Sequence, residues 1–199
     1  MEVTLHRKVD KELASLPVAV QKHLFRLVYE IELSGPVRGN WPNYGKPSDN
    51  RHHCCLKKGR STYVVVWSED KQSITLEVLS MLERTKTLPT DKGLVTLTLH
   101  VPKALVPTIR SYAHALLKQG GQTVPWREPF NRQFSGQTVA AISLQSARTA
   151  QGLTQKQLAE LVDIPQRHIS EMENGKRNIG KERATRLAGV LDTDYRVFL

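Results

Sequence analysis

Residues 152–177 constrain the fold most strongly, because their pattern predicts two short helices joined by a tight turn. Thr154 is followed three residues later by Gln157, and this pairing predicts a capping box that starts the first helix. The sequence Asp163-Ile164-Pro165 predicts the turn, because proline suits the first position of a new helix.

The second predicted helix carries side chains of the types that read base edges. Ile169 and Met172 are expected to face inward, which leaves four polar residues outside: Gln166, Arg167, Ser170 and Glu171. In the major groove, glutamine pairs with adenine, arginine pairs with guanine, and glutamate accepts from cytosine. A helix-turn-helix places its second helix in that groove, so we expect these residues to contact double-stranded DNA.

Phosphate contacts are expected at the two ends of this unit. Gln155 opens the first helix, and Asn174, Lys176 and Arg177 follow the second. Contacts with phosphates position a protein on DNA without reading its sequence. The alternative interpretation of the same residues is a solvated, charged helix hairpin with no role in DNA binding.

Residues 143–199 resemble the XRE family, the Cro and phage-repressor type of helix-turn-helix protein. The resemblance includes Arg148 four residues before Gly152, and the sequence Glu173-Asn-Gly-Lys-Arg177. It implies an all-α, lambda-repressor-like domain, an internal ion pair between Arg148 and Glu173, and a homodimer that reads two half-sites. The sequence departs from the family at Asp163, where glycine is usual.

Positive charge is distributed over the whole chain. The 199 residues include 29 Lys and Arg against 19 Asp and Glu, which gives a formal net charge of +10. Residues 1–90 hold 14 basic and 10 acidic residues, and residues 91–199 hold 15 and 9. Because both halves are basic, either half is able to meet a polyanion such as nucleic acid.

The segment His52-His53-Cys54-Cys55 is the richest in potential metal ligands. Alternation along a strand sends these side chains to opposite faces in two pairs, which disfavours a metal site or a disulfide. We therefore expect no metal and no cofactor. No apolar stretch is long enough to span a membrane and no signal-peptide pattern is present, so we expect a cytoplasmic protein with no membrane partner.

The first ninety residues predict an α+β domain with helices on an antiparallel sheet. Pro17 separates two helical segments, and Ser34-Gly-Pro36 ends the second. Ser61-Thr-Tyr-Val-Val-Val-Trp67 is the strongest strand signal, because it is rich in β-branched and aromatic residues. The predicted elements are a strand at 2–6, helices at 9–16 and 17–33, a loop at 37–50 anchored by Trp41 and Tyr44, and strands at 52–57, 61–67 and 73–81.

Residues 4–88 resemble the RelE/HigB superfamily of toxins from bacterial toxin–antitoxin systems. The resemblance rests on a loop like Asn40-Trp-Pro-Asn-Tyr-Gly-Lys46, a strand like His53-Cys-Cys-Leu-Lys-Lys-Gly-Arg60, and the strand that follows. It implies a metal-independent endoribonuclease that cuts mRNA on the ribosome. Its catalytic candidates lie at the sheet edge and the C-terminal tail of the domain: His53, Lys57, Lys58, Arg60, Arg84 and Lys86.

Cleavage of this kind removes a proton from the ribose hydroxyl, stabilises a charged phosphorane and protonates the leaving oxygen. Arginine suits the second task because it presents a fixed fork of donors. The sequence departs from the family at two imidazoles, since Arg84 and Cys55 stand where that branch has histidine. The loss of two groups that transfer protons near neutral pH favours a weakened or inactive site, and a solvated basic rim is the alternative.

Residues 91–139 are predicted to connect the two domains, after a boundary at Pro89-Thr-Asp-Lys-Gly93. Alternating apolar residues predict a strand at 95–101, and the next segment predicts a helix that ends near residue 118. The strand either adds to the toxin-like sheet or begins a ribbon-helix-helix unit that pairs in a dimer. A loop is predicted at 120–135, held to a surface by Trp126, Phe130 and Phe134, and the helix-turn-helix domain is predicted at 140–199.

The two resemblances together predict a fused toxin–antitoxin protein, either as a natural fusion or as two joined proteins. The leading interpretation is a sequence-specific DNA-binding transcriptional regulator whose RelE-like domain is inactive or restrained in the same chain. The alternative is a ribosome-dependent mRNA endoribonuclease fused to its own antitoxin and repressor. A third interpretation is an interaction protein whose toxin-like half captures an unrelated protein.

Overall fold

The computed structural model describes residues 2–58, 61–71, 73–82 and 123–199 of the chain. The first three ranges contain β1 (Glu2–His6), α1 (Arg7–Leu13), α2 (Val18–Ser34), β2 (Gly45–Ser48), β3 (Arg51–Lys58), β4 (Ser61–Glu69) and β5 (Ser73–Leu82). The last range contains β6 (Thr123–Pro125), α3 (Arg127–Gln133), α4 (Val139–Ala150), α5 (Gln155–Val162), α6 (Gln166–Glu173), α7 (Lys181–Leu191) and a 3-10 helix (Tyr195–Phe198). The chain is therefore α+β, with a sheet in its N-terminal part and a helical C-terminal part.

The six-stranded sheet is mixed, and its strand order is β2-β3-β4-β5-β1-β6. β1 lies parallel to β5, with Val3 opposite Ile74, and antiparallel to β6. The prediction of an antiparallel sheet is therefore wrong at β1. Alternation along a strand shows which residues face the core, but it does not show which strand pairs with it or in which direction. The long connection that a parallel pair needs is supplied here by α1, α2 and the strands β2 to β4.

Helix α2 is buried on nearly all sides between residues 20 and 31. One face belongs to the N-terminal hydrophobic core, where Leu24 and Leu27 are fully buried. The helix also carries buried polar residues that reach the C-terminal helices: His23 hydrogen-bonds with Thr149 at 3.3 Å, and Glu30 accepts from Thr193. A helix buried all round lies in the interior of a structure, and α2 is covered by the sheet and by the C-terminal helices.

The two hydrophobic cores meet along α2. Ile142 of α4 is part of the N-terminal core, whereas Tyr29 and Leu33 of α2 pack against the C-terminal core. The C-terminal core itself is formed by the five helical segments from α4 to the 3-10 helix, with Leu158 and Ile169 fully buried at its centre. The N-terminal part and the helix-turn-helix part thus contact each other within one chain.

The segment 123–134 forms β6 and α3, so the prediction of a loop at 120–135 is wrong there. Trp126, Phe130 and Phe134 are spaced four residues apart, which places them on one face of a helical turn. All three are buried, and their rings lie 5.3 to 6.3 Å from the ring of Phe25. The expected anchoring by these aromatic residues is confirmed. The predicted strand at 95–101 and the helix after it lie outside the described residues.

His23 makes the stability of the α2–α4 contact depend on pH. Burial, together with the charge of Arg26, lowers the pKa of His23 to about 4. The unfolded chain binds a proton at this residue near pH 6.5, so stability is lost as the pH falls from that value toward 4. We expect the free energy of unfolding to drop by about 2 kcal/mol between about pH 7 and about pH 5. Urea unfolding at a series of pH values measures this drop.

The matched control for that measurement is His23→Gln. Glutamine keeps a hydrogen-bonding group beside Thr149 but does not titrate, so the His23 contribution to the pH dependence should disappear. An identical pH dependence in the wild type and in this variant would show that another group is responsible.

Candidate nucleic-acid interface

Helix α5 starts with the predicted capping box. The backbone N–H of Gln157 donates to Thr154 Oγ1 at 3.2 Å, and the backbone N–H of Thr154 donates to Gln157 Oε1 at 2.9 Å. These two hydrogen bonds satisfy donors that the first turn of a helix leaves unpaired. The start of the helix-turn-helix is therefore encoded locally in the sequence.

The turn between α5 and α6 depends on a left-handed residue. Asp163 has φ 51° and ψ 51°, a conformation in which glycine is usual and which aspartate tolerates. Its backbone N–H and that of Ile164 both donate to the carbonyl oxygen of Ala159. Pro165 is the N-cap of α6, and Gln166 is its first helical residue. The sequence predicted Pro165 itself at the first helical position, one residue too early for the helix start. Three residues, 163–165, thus connect α5 to α6.

Helix α6 turns its apolar residues inward, as predicted. Ile169 and Met172 are at most 1% exposed, and Glu173 is buried beside them. The opposite side of the helix carries the polar residues expected to face DNA: Gln166 and Arg167 are exposed, and Ser170 and Glu171 are half-buried. The helix therefore has one polar face toward solvent and one apolar face packed in the core.

The predicted ion pair between Arg148 and Glu173 is confirmed. Arg148 Nε and Nη2 donate to the two carboxylate oxygens of Glu173 at 2.5 and 3.0 Å, and Nη1 donates to the Leu153 carbonyl oxygen at 2.7 Å. Both side chains are at least nine-tenths buried. This bidentate pair fixes α4, the start of α5 and the end of α6 relative to one another.

Two glutamine amides extend this pair to the protein surface. Gln155 Nε2 donates to Glu173 Oε2 at 2.9 Å, and Gln166 Nε2 donates to Gln155 Oε1 at 2.8 Å. The first residue of α6 is thereby held by the first residue of α5, and through it by the buried carboxylate. Gln166 keeps its amide oxygen and one N–H available for a base. No local sequence pattern predicts these linked hydrogen bonds, because they join residues on three separate helices, α4, α5 and α6.

Glu171 is engaged by two arginines in the structure. Arg177 Nε donates to Glu171 Oε2 at 2.6 Å, and Arg167 Nε lies 3.5 Å from Oε1. The hydrogen bond from Arg177, with the charges of both arginines, lowers the pKa of Glu171. Its carboxylate therefore orders Arg167 and Arg177, and its predicted contact with a base remains a prediction.

The segment that follows α6 carries the predicted phosphate contacts. Asn174 Nδ2 donates to the Ser170 carbonyl oxygen at 2.7 Å, which closes the helix end. Gly175 has φ 68°, a left-handed conformation that glycine adopts without strain, and Lys176 beyond it is exposed. The structure thus places Lys176 and Arg177 beside the exposed face of α6.

The predicted catalytic residues of the N-terminal domain are placed only in part. His53 lies on β3 against Gly45: a Cβ at position 45 would lie 2.5 Å from His53 Cε1, so a side chain there would require the imidazole to shift. Lys57 pairs with Thr62 across β3 and β4, and Lys58 with Ser61. Arg60, Arg84 and Lys86 lie outside the described residues, so the grouping of the six candidates in one site remains a prediction.

The neighbouring His52 is part of the core. It is fully buried, stacks on Trp67 with ring centroids 5.6 Å apart, and hydrogen-bonds with the Tyr44 hydroxyl and with Glu69. The expected alternation of His52 and His53 along the strand is confirmed. Within the described ranges, no group of three or more His, Cys, Asp and Glu residues is placed to hold a metal ion. In the same ranges, no helix is long and apolar enough to cross a membrane.

Comparison with known proteins identifies the C-terminal part. The helix-turn-helix family matches residues 144–198, which cover α4 to the 3-10 helix apart from the first residues of α4. The match supports an XRE-type helix-turn-helix in this region. No curated protein matches the chain. Together with the exposed polar face of α6, the family match supports DNA binding by residues 144–198, as in transcription regulators.

Proposed function

We propose that the chain is a sequence-specific transcriptional regulator of the toxin–antitoxin type, with a RelE-like domain held inactive in the same protein. The observation that carries the DNA-binding part is the polar face of α6. This helix is held in place by the buried pair of Arg148 and Glu173 and by the hydrogen bonds of Gln155 and Gln166. A recognition helix needs this rigidity, because base contacts discriminate only when the side chains are held in place.

Helix α6 enters the major groove in this proposal. Gln166 and Arg167 read base edges, while Asn174, Lys176 and Arg177 bind phosphates on the flanking backbone. The protein binds as a homodimer, with two α6 helices in successive major grooves about one helical turn apart.

The proposed restraint of the RelE-like domain is supported by how its helix α2 is covered. The C-terminal helices pack on α2, and β6 occupies the sheet edge beside β1. A domain whose central helix and sheet edge are occupied by the rest of the chain has less surface available for a ribosome.

The function is tested with Arg167→Ala and Lys176→Ala on an operator selected from random duplex DNA. Arg167→Ala should lower discrimination at one base position by about 1–3 kcal/mol, because arginine contributes base readout. Lys176→Ala should weaken binding to all sequences and lower the slope of log affinity against log salt by about 1. Fluorescence anisotropy with operator and single-base variants measures both effects.

Arg186→Ala is the matched control for these two variants. Arg186 is a half-exposed arginine of α7 that pairs with Glu182, and it lies outside the proposed surface. It should bind every duplex as the wild type does. If Arg167→Ala also left discrimination unchanged at every position, α6 would not be the recognition helix.

A further inference from the structure

Lys22 is a cation of the N-terminal domain that lies against the helix-turn-helix. It extends from α2 to α4, where its ammonium donates to Gln145 Oε1. The ammonium also lies 5.7 Å from the ring centroid of Phe134. Among the described residues, no carboxylate lies within ion-pair distance of this ammonium.

The surroundings of Lys22 connect it with the proposed DNA surface. Its partner Gln145 lies three residues before Arg148 on α4, so the two side chains are neighbours on one side of that helix. Glu173 is already held bidentately by Arg148, and it accepts from Gln155, the residue predicted to contact a phosphate. In the part of the chain that the structure describes, this corner holds two cations and one carboxylate, and the carboxylate forms its ion pair with Arg148 rather than with Lys22.

We propose that Lys22 extends the phosphate-binding surface of the helix-turn-helix onto the N-terminal domain, and that it binds the DNA backbone beside the phosphate contacted at Gln155. This inference rests on the proposed DNA-binding function. The hydrogen bond to Gln145 leaves the ammonium two further N–H donors, and it fixes the direction of a side chain that is otherwise flexible. A phosphate favours the charged form of the lysine, which opposes the desolvation that lowers its pKa.

A role of this kind gives affinity without specificity. A lysine on a phosphate acts as a point charge that releases counterions from the DNA, and its effect is the same for every sequence. The N-terminal domain then contributes to operator binding directly. No operator needs to be known for the test, because a duplex of arbitrary sequence carries the same phosphates.

The test compares Lys22→Gln with the wild type on a labelled duplex of arbitrary sequence, about 30 base pairs long, at a series of salt concentrations. The glutamine amide still donates to Gln145 but carries no charge. We expect the magnitude of the slope of log affinity against log salt to fall by about 0.9. The ratio of the wild-type affinity to the Lys22→Gln affinity should therefore grow about threefold when the salt is lowered from about 200 to about 50 mM. Lys22→Arg should keep the wild-type slope.

Lys46→Gln is the matched control, because Lys46 is a half-exposed lysine at the β2 edge of the sheet, paired with Glu69. It should leave the slope unchanged. Thermal unfolding curves verify that both proteins are folded. Equal slopes for Lys22→Gln and the wild type would then overturn the inference and leave the proposed function intact. A wild-type chain that bound no duplex at low salt would overturn the proposed function and this inference with it.

Discussion

Replacing Glu173 with alanine should destabilise the chain by about 3–5 kcal/mol and abolish DNA binding. The side chain of Glu173 is only 2% exposed and accepts both hydrogen bonds of the bidentate Arg148 pair. Its removal leaves a guanidinium buried without a partner, and an uncompensated buried charge costs far more than the pair contributes. Urea unfolding measures the stability, and anisotropy on a selected operator measures the binding.

The double variant Arg148→Met with Glu173→Leu separates these two effects. Two apolar side chains of similar volume replace a buried pair at little cost, so the stability should return to within about 1–2 kcal/mol of the wild type. The affinity for DNA should stay low, because Gln155 has lost the carboxylate that holds it and, through it, Gln166. Full recovery of DNA binding in the double variant would show that the linked glutamines do not position α6.

The helix-turn-helix was predictable from the sequence because its determinants are local. The capping box joins residues three apart, and Ile169 and Met172 follow the helical period. The pair of Arg148 and Glu173 is not local, and it was anticipated only through the family resemblance. The link between Gln155 and Gln166 depends on how two helices cross, and no pattern of residue types in the sequence encodes it.

The placement of β1 and of segment 123–134 was missed for a different reason. Both depend on partners distant in the sequence: β1 pairs with β5 and with β6, which follows it by more than a hundred residues. The aromatic spacing of Trp126, Phe130 and Phe134 was a helical signal, yet a loop was predicted at 120–135. Pairing over such distances is set by tertiary packing, which overrides local preference.

The buried polar face of α2 also escaped prediction. The apolar residues of this helix form a stripe at the helical period, from which the remaining residues are expected to face solvent. In the structure His23, Arg26 and Glu30 are each less than 10% exposed. Their burial reflects the second layer of helices that packs on α2, and this layer is encoded more than a hundred residues later.

Glu30 is the polar centre of this contact between the two parts of the chain. It is 1% exposed and accepts from Trp41 Nε1 at 2.7 Å and from Thr193 Oγ1 at 3.0 Å. Two buried guanidiniums depend on its charge, since Arg26 lies 3.3 Å and Arg38 3.9 Å from its carboxylate oxygens. The carboxylate thus joins α2, the loop after it and the residues that follow α7.

Glu30→Ala is therefore expected to destabilise the chain by about 3–5 kcal/mol, because it leaves two buried cations without their anion. It should also uncouple the two parts of the protein. All three tryptophans belong to the N-terminal core, so their fluorescence reports that part, whereas far-ultraviolet circular dichroism also reports the C-terminal helices. The two unfolding transitions should coincide in the wild type and separate in Glu30→Ala.

Two further variants identify the cause of the stability lost in Glu30→Ala. Glu30→Gln keeps an acceptor for Trp41 and Thr193 but removes the charge, so a loss close to that of alanine assigns the effect to the unpaired arginines. Glu182→Ala removes an exposed carboxylate paired with Arg186, and it should cost at most about 1 kcal/mol with coincident transitions. If Glu30→Ala unfolded at the same urea concentration as Glu182→Ala, the charge of Glu30 would not contribute to holding the C-terminal helices on α2.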